Sequence, residues 1–303
     1  MATRTPRRDD QELIDLEWMR ESSTRSGPKL KGKEEVNPVL AKKAMDRIAE
    51  RLDSEQPIEA TLPDVARQLY DLSQDVNASY DRIAKVAGQD PQIAARLIHL
   101  ANTSYYQRDK PADTLRDAVF RIGLGAIQTM LILPALEKRL VRDEVSTKLW
   151  RHSRVVAAVM PFLAGLAKVR PDPAMLAGLL HDVGRIVLWL ELGKDKLIAP
   201  FVEDLGDVLH ESLGGQLARR WSFPESVVAA VEHHHAPDPE QADSEVERLP
   251  HVVCIGDRLV RSHELGLPID PSAIPSVGAL GIPERPVGAL FKRIAKLEAE
   301  ALH

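Results

Sequence analysis

Apolar residues recur along most of this chain at intervals of three and four, the spacing that gathers side chains on one face of an α-helix. From Pro38 the pattern is sustained, with Val39, Ala44, Met45, Ile48 and Leu52 on a common face. A second helix is predicted from Pro63, carrying Val65, Leu69 and Leu72. Proline suits that first turn because its missing N–H has no intrahelical partner anyway. Ser79 can cap a third helix, with Ile83, Val86 and Ala87 inside, and Asp90-Pro91 opens a fourth through Ile93, Ala94, Leu97, Leu100 and Ala101. Asn102-Thr103-Ser104 ends it. Asp113 or Thr114 caps the next helix, through Ala118, Val119 and Ile122; Gly123 and Gly125 interrupt it, and it resumes through Ile127, Met130, Leu131 and Leu133 before Pro134. Helical periods then run over 147–168, 173–191, 205–221, 224–235, 246–263 and 285–301. Alternation of β-branched residues is nearly absent, so the predicted fold class is all-α. Residues 1–36 lack the pattern and read as a disordered charged tail, with Ile14, Leu16 and Trp18 its notable apolar residues.

Composition narrows the function classes. With 40 basic and 45 acidic residues the net charge is -5, and aromatics are only 4%. Neither feature suits a nucleic-acid surface, so no nucleic-acid partner is expected. No window approaches 18 uninterrupted apolar residues and no apolar signal core opens the chain, so a cytoplasmic protein without a membrane span is expected. The one cysteine, Cys254, allows neither an intramolecular disulfide nor a thiolate cluster, and reads as a buried structural residue.

The candidate chemistry lies in His152, His181-Asp182, His210, His234-His235 and Asp257. Each falls on an apolar stripe. His152 lies with Val156, Val159, Leu163 and Leu166, and His210 with Leu213 and Leu217. His181 and Asp182 sit within an apolar helix containing Leu176, Leu179, Leu180, Val183, Val187 and Leu188. His234 follows Val227 and Val231, His235 follows Val228 and Val231, and Asp257 lies between Val253 and Val260. One inward histidine is ordinarily a satisfied core residue. Burying an unpartnered polar side chain costs a few kcal/mol, so a whole set is more easily satisfied together, around a cation or as a hydrogen-bonded network. Convergence itself is not readable from sequence. If these residues meet, imidazoles and carboxylates suit Fe, Mn, Zn or Co better than Mg or Ca, and Asp182 could bridge two ions. Arg185, one turn beyond Asp182, could neutralise a phosphate or be a surface arginine. His233 reads as exposed, and His99, His251, His263 and His303 have no companions at ligand spacing. Arg219-Arg220 and the Arg258/Arg261 pair read as charged faces first. No Walker loop, dinucleotide fingerprint or nucleophile elbow is present.

At these residues the chain resembles the HD superfamily of metal-dependent phosphohydrolases. The surrounding segments narrow the resemblance to the HDOD family, the HD-related output domains of bacterial signalling proteins. They are Ala87-Gly88-Gln89-Asp90-Pro91, Leu97 through Tyr106, Ala118 through Gly123, Leu149 through Ser153, Ala177 through Gly184, Trp221 through Pro224 and His233 through Pro237, within about 58–262. The resemblance implies a linker helix over 37–57, an N-terminal helical lobe over 58–140, an HD-like lobe over 141–262 and a helical extension over 263–303. It implies a regulatory module acting on a signalling protein partner, with a divalent metal, a nucleotide or a second messenger in the HD cavity. The alternative it carries is a metal-dependent phosphohydrolase acting on a nucleotide or cyclic nucleotide, with the seven residues above as ligands and Asp182 and Arg185 as its catalytic candidates. His234-His235 leads into Ala236-Pro237 rather than the Gly-Tyr-Pro of the related HD-GYP phosphodiesterases.

Overall fold

The structure, a computed structural model, describes residues 38–54 and 62–302 except 76, 104, 105 and 107; the charged tail and His303 lie outside the described residues. Among those residues there is no strand. Helix α1 (Pro38–Ser54) precedes a four-helix group of α2 (Asp64–Gln74), α3 (Tyr80–Ala87), α4 (Pro91–Ala101) and α5 (Leu115–Leu140). Helices α2, α3 and α4 all pack on α5. Leu69, Ile83, Leu97 and Ile127, one from each helix of the group, are fully buried, each worth about 1.5–3 kcal/mol of apolar transfer. The starts follow the predicted chemistry. Ser79, Asp90 and Thr114 each accept a backbone N–H from the first turn of their helix. Asn102 closes the connection from α4 to α5 at its neck: its side chain donates to Ala112 O at 3.0 Å and accepts from Ala112 N at 2.7 Å.

The larger group is built on α6 (Glu144–Ala167), which packs against α7 (Pro171–Leu180) and later helices. α8 (Val183–Leu192), α9 (Val202–Arg220), α10 (Glu225–His233) and α11 (Glu245–Glu264) follow, each packed on its predecessor or on the α6/α7 pair. The chain ends with α12 (Pro275–Ala279), α13 (Glu284–Phe291) and α14 (Ile294–Leu302), the last lying along α6. Helix α1 buries Ala44, Ile48 and Leu52 and packs on α8.

Three details differ from the sequence expectation. The helix predicted over 173–191 is two helices: the chain turns at His181-Asp182, where Asp182 leaves helical geometry at φ -100°, ψ 14°. The apolar stripe continues in phase across that turn, which is why it reads as one helix. The helix predicted over 285–301 divides likewise at Lys292-Arg293. In α5 only Gly123 interrupts, at φ 76°, a conformation glycine adopts freely. Gly125 is helical and sits where a Cβ would lie 2.4 Å from Asp172, and the helix runs on past Pro134. By length and composition α5 is also apolar enough to cross a membrane, yet 44% of that window is buried within the protein and the Gly123 kink divides it.

Candidate metal centre

Three helices, one turn between helices and one helix end deliver the seven predicted residues to one place. His152 projects from α6, His210 from α9 and Asp257 from α11; His181-Asp182 is the turn between α7 and α8; His234-His235 follows the end of α10. The potential ligand atoms form two groups, Asp182, His210, His234 and His235 in one and His152, His181 and Asp257 in the other, each lying within 4.8 Å of one another. Asp182 stands between them. Its Oδ1 is 3.6 Å from His210 Nε2 and 3.9 Å from His234 Nε2, while its Oδ2 is 3.6 Å from His181 Nε2. Asp257 Oδ1 is 3.0 Å from His152 Nε2 and 3.7 Å from His181 Nε2. All are buried except the half-buried His235.

The backbone sets the tautomers. Nδ1 of His181 faces Gly178 O at 2.8 Å, that of His210 faces Gly206 O at 2.6 Å, and that of His234 faces Val231 O at 2.9 Å. A carbonyl only accepts, so each Nδ1 carries the hydrogen and each neutral ring turns an Nε2 lone pair inward. His181 Nε2 is buried with no hydrogen-bond partner. His210 and His234 bring Nε2 to within 3.4 Å of each other, and His235 Nε2 reaches His210 Nε2 at 3.0 Å. Protonation could relieve these facing lone pairs, but burial opposes it. It pushes His210 down to about 3, and lowers His234 and His235 below the usual histidine range. Converging neutral imidazoles beside two carboxylates, with an orphaned buried nitrogen among them, fit a divalent cation.

The carboxylates are held ionised. Burial opposes the charge of Asp182, yet His181, His210 and Arg185 keep its pKa well below the ordinary carboxylate range. Burial also opposes Asp257, and the hydrogen bond of His152, with His181 and the Arg261 guanidinium close by, outweighs it and holds the carboxyl well below its usual range. Arg185 is neither a free surface residue nor an open phosphate ligand: Nε donates to Asp182 Oδ1 at 3.0 Å and a terminal nitrogen to Asp207 Oδ1 at 2.9 Å.

Sequence reasoning missed three supporting residues. Arg261, read as part of a charged face, lies 3.3 Å from Asp257 Oδ1 and 3.8 Å from Asp182 Oδ2. Glu264 brings both oxygens to 3.0 Å from His152 Nδ1. Asp257, Arg261 and Glu264 are spaced i, i+4, i+7, a signal available in the sequence. Glu211 accepts from His235 N at 3.1 Å, and burial raises it to about 7. The remaining expectations are simpler. His233 is exposed and Cys254 buried. His251 is a satisfied core histidine between Ser276 Oγ and the Asp238 carbonyl, His263 faces Glu298, and Arg219 and Arg220 pair with Glu232 and Asp53.

His152 gives the metal-free protein a pH signature. Burial disfavours its charge, but hydrogen bonds to Asp257 and Glu264 prevail and raise it from 6.5 to about 9. A pKa raised on folding stabilises fully below the unfolded value and is lost as pH climbs through the folded one. Chelator-treated protein should therefore lose stability between about pH 6.5 and 9, read as the urea midpoint. His152→Gln should flatten that slope; an equal slope in the variant would assign it elsewhere.

An all-helical HD-like fold with a His/Asp centre defines the class of protein. The chain belongs to the HDOD family, whose domain model matches residues 60–237. It is 27% identical over 206 residues to an uncharacterised protein of Treponema pallidum, a match covering 62% of this chain and 39% of that protein. It is 30% identical over 120 residues to ribonuclease Y of Aquifex aeolicus, covering 39% of this chain and 18% of the enzyme. The matches thus span well under half the length of these relatives. Among solved structures, an HDOD domain protein of Geobacter sulfurreducens superposes with a TM-score of 0.62 at 25% identity, covering 86% of this chain and 98% of its own. A Shewanella amazonensis protein called a metal-dependent phosphohydrolase shares the fold, with a TM-score of 0.55 at 24% identity over 83% of this chain and 99% of its own.

Proposed function

We propose that this chain is a regulatory signalling module whose His/Asp centre holds a divalent metal, Fe, Mn, Zn or Co, and which acts through contacts with a signalling protein. The observation that carries the reading is that seven potential ligands come from α6, the α7–α8 turn, α9, the end of α10 and α11. One bound ion would add a shared tie to helices otherwise held by packing and a few side-chain contacts, so occupancy would set how rigidly the lobe presents itself to a partner. Asp182, His210, His234 and His235 would hold an ion on one side, and His152, His181 and Asp257 on the other. Arg185 and Arg261 fix the carboxylates, and Glu264 fixes His152.

A second reading, a phosphohydrolase acting on a nucleotide or cyclic nucleotide, is favoured by Asp182 lying between the two groups with the Arg185 and Arg261 guanidiniums beside it. A bound divalent ion supplies Lewis-acid polarisation of a phosphoryl oxygen. On this reading the more exposed Arg261 orients the anionic phosphate while Arg185 holds Asp182 in place, and Glu211, raised to about 7, can take or give a proton at the edge of the centre.

The test is metal analysis of protein purified without a chelating tag, followed by hydrogen exchange with and without added Mn or Zn and by a phosphodiester panel. The regulatory reading expects retained metal, slower exchange in α6 through α11 on loading, and no turnover. Failure to bind metal overturns both readings, whereas turnover abolished by His210→Ala replaces the first with the second.

A further inference from the structure

Away from the His/Asp centre, a cavity of about 530 Å³ opens where the N-terminal group of helices meets the larger one. Its size lies within the range of about 300–1,000 Å³ typical of small-molecule sites. Five helices wall it: α4, α5, α6, α7 and α14. The walls are largely apolar, with Leu133 and Pro134 on one side and Pro161, Phe162, Met175 and Leu179 on the other. Met175, and Met130 nearby, can adapt to an occupant's shape.

The charges at this cavity are unbalanced. Arg154 is half-buried and donates to the Ala301 carbonyl, which is neutral, and no carboxylate among the described residues lies within ion-pair distance of it. Arg96 lines the exposed edge, again with no ion pair among the described residues. Of the two carboxylates that line the cavity, Glu300 lies 3.7 Å from Lys296 Nζ, leaving Glu137 against two guanidiniums. A half-buried guanidinium bonded only to a carbonyl retains donors for an anionic oxygen, and charge-assisted hydrogen bonds are the strong ones.

We propose that this inter-lobe cavity binds a small amphipathic monoanion, a carboxylate with an aliphatic or aromatic body, its head on Arg154 and Arg96 and its body against Phe162, Met175 and Leu133. The position suits an effector. Ala157 and Pro161 lie one to three turns beyond His152 on α6, and Leu179 lies two residues before His181, so the occupant rests on the helix pair that presents two potential metal ligands.

Decanoate is the probe, titrated calorimetrically into the full chain at pH 7.5 in the presence of chelator, so the outcome is separate from that of the metal reading. Saturable one-to-one binding is expected, and Arg154→Gln should weaken it by about tenfold or more. Decyltrimethylammonium, with the opposite head charge, should not bind saturably. Ala158→Trp and Leu133→Trp fill the cavity from opposite walls, and either one that keeps the native circular dichroism should abolish binding. The proposal is overturned by an absence of saturable decanoate binding, by equal affinity for the cationic probe, or by unchanged affinity in a folded filled variant. If neither tryptophan variant folds, Arg154→Gln and the head-group comparison still decide.

Discussion

Asp182→Asn should strip the protein of divalent metal, with content after gel filtration falling from stoichiometric to near zero. The affinity loss should be about a hundredfold or more, at or beyond the upper end of what removing a mere supporting residue costs. The reason is position. Asp182 Oδ1 faces His210 and His234 while Oδ2 faces His181, so one carboxylate serves both ligand groups. Asparagine keeps the volume but replaces one oxygen with an amide that donates rather than accepts, and removes the charge. Asp207→Asn is the matched comparison. It removes the charge of the outer partner of Arg185, 2.9 Å distant, and leaves Asp182 itself intact. Metal content should stay near the wild-type value there. Full retention by Asp182→Asn would mean that no ion is held at this carboxylate.

The second large effect is on stability. Gly184→Ala should lower the unfolding free energy by about 3 kcal/mol, the upper end for overpacking a closed interface. In a chain this size that is a fall of roughly 5 °C in Tm. A Cβ at Gly184 would lie 2.1 Å from the carbonyl oxygen of His210, so α8 would have to move away from α9. The obstacle is backbone, which has no rotamer to change. The same shift would draw His210 from Asp182, so metal affinity should fall with stability in calorimetry and metal titration alike. Gly165→Ala, where a Cβ meets nothing within 4 Å, should leave both unchanged. A neutral Gly184→Ala would show that the α8–α9 approach is looser than described.

This close approach also marks the limit of what the sequence discloses. The helices were legible because apolar residues at three-and-four spacing are a direct imprint of burial, and Ser79, Asp90 and Thr114 start theirs as their side-chain chemistry requires. The break at His181-Asp182 was not legible, because Leu179, Leu180 and Val183 keep helical phase across it, and the close approach of Gly184 to α9 beside it is a tertiary contact that no local pattern announces. The inward phase of His152, His210 and Asp257 could be read within single helices. Their meeting is a property of helix packing, which no local pattern encodes. Arg261 and Glu264 shared a face with Asp257 in plain view, yet charged residues at helical spacing more often mark a solvated surface. Only proximity to His152 and Asp182 distinguishes them.

The two hydrogen bonds joining Asn102 to Ala112 act as a clasp on the α4–α5 connection. Chain leaving the clasp returns to it, so residues added in between change the cost of closure rather than the clasp itself. Closure entropy grows only slowly with loop size, by about 0.6 kcal/mol per doubling. Asp109, exposed within that span, is therefore a place where residues can be inserted while the clasp and the bond from Arg121 of α5 to the Lys110 carbonyl are kept. It is a natural position for grafting a reporter or a tag into the interior of the chain.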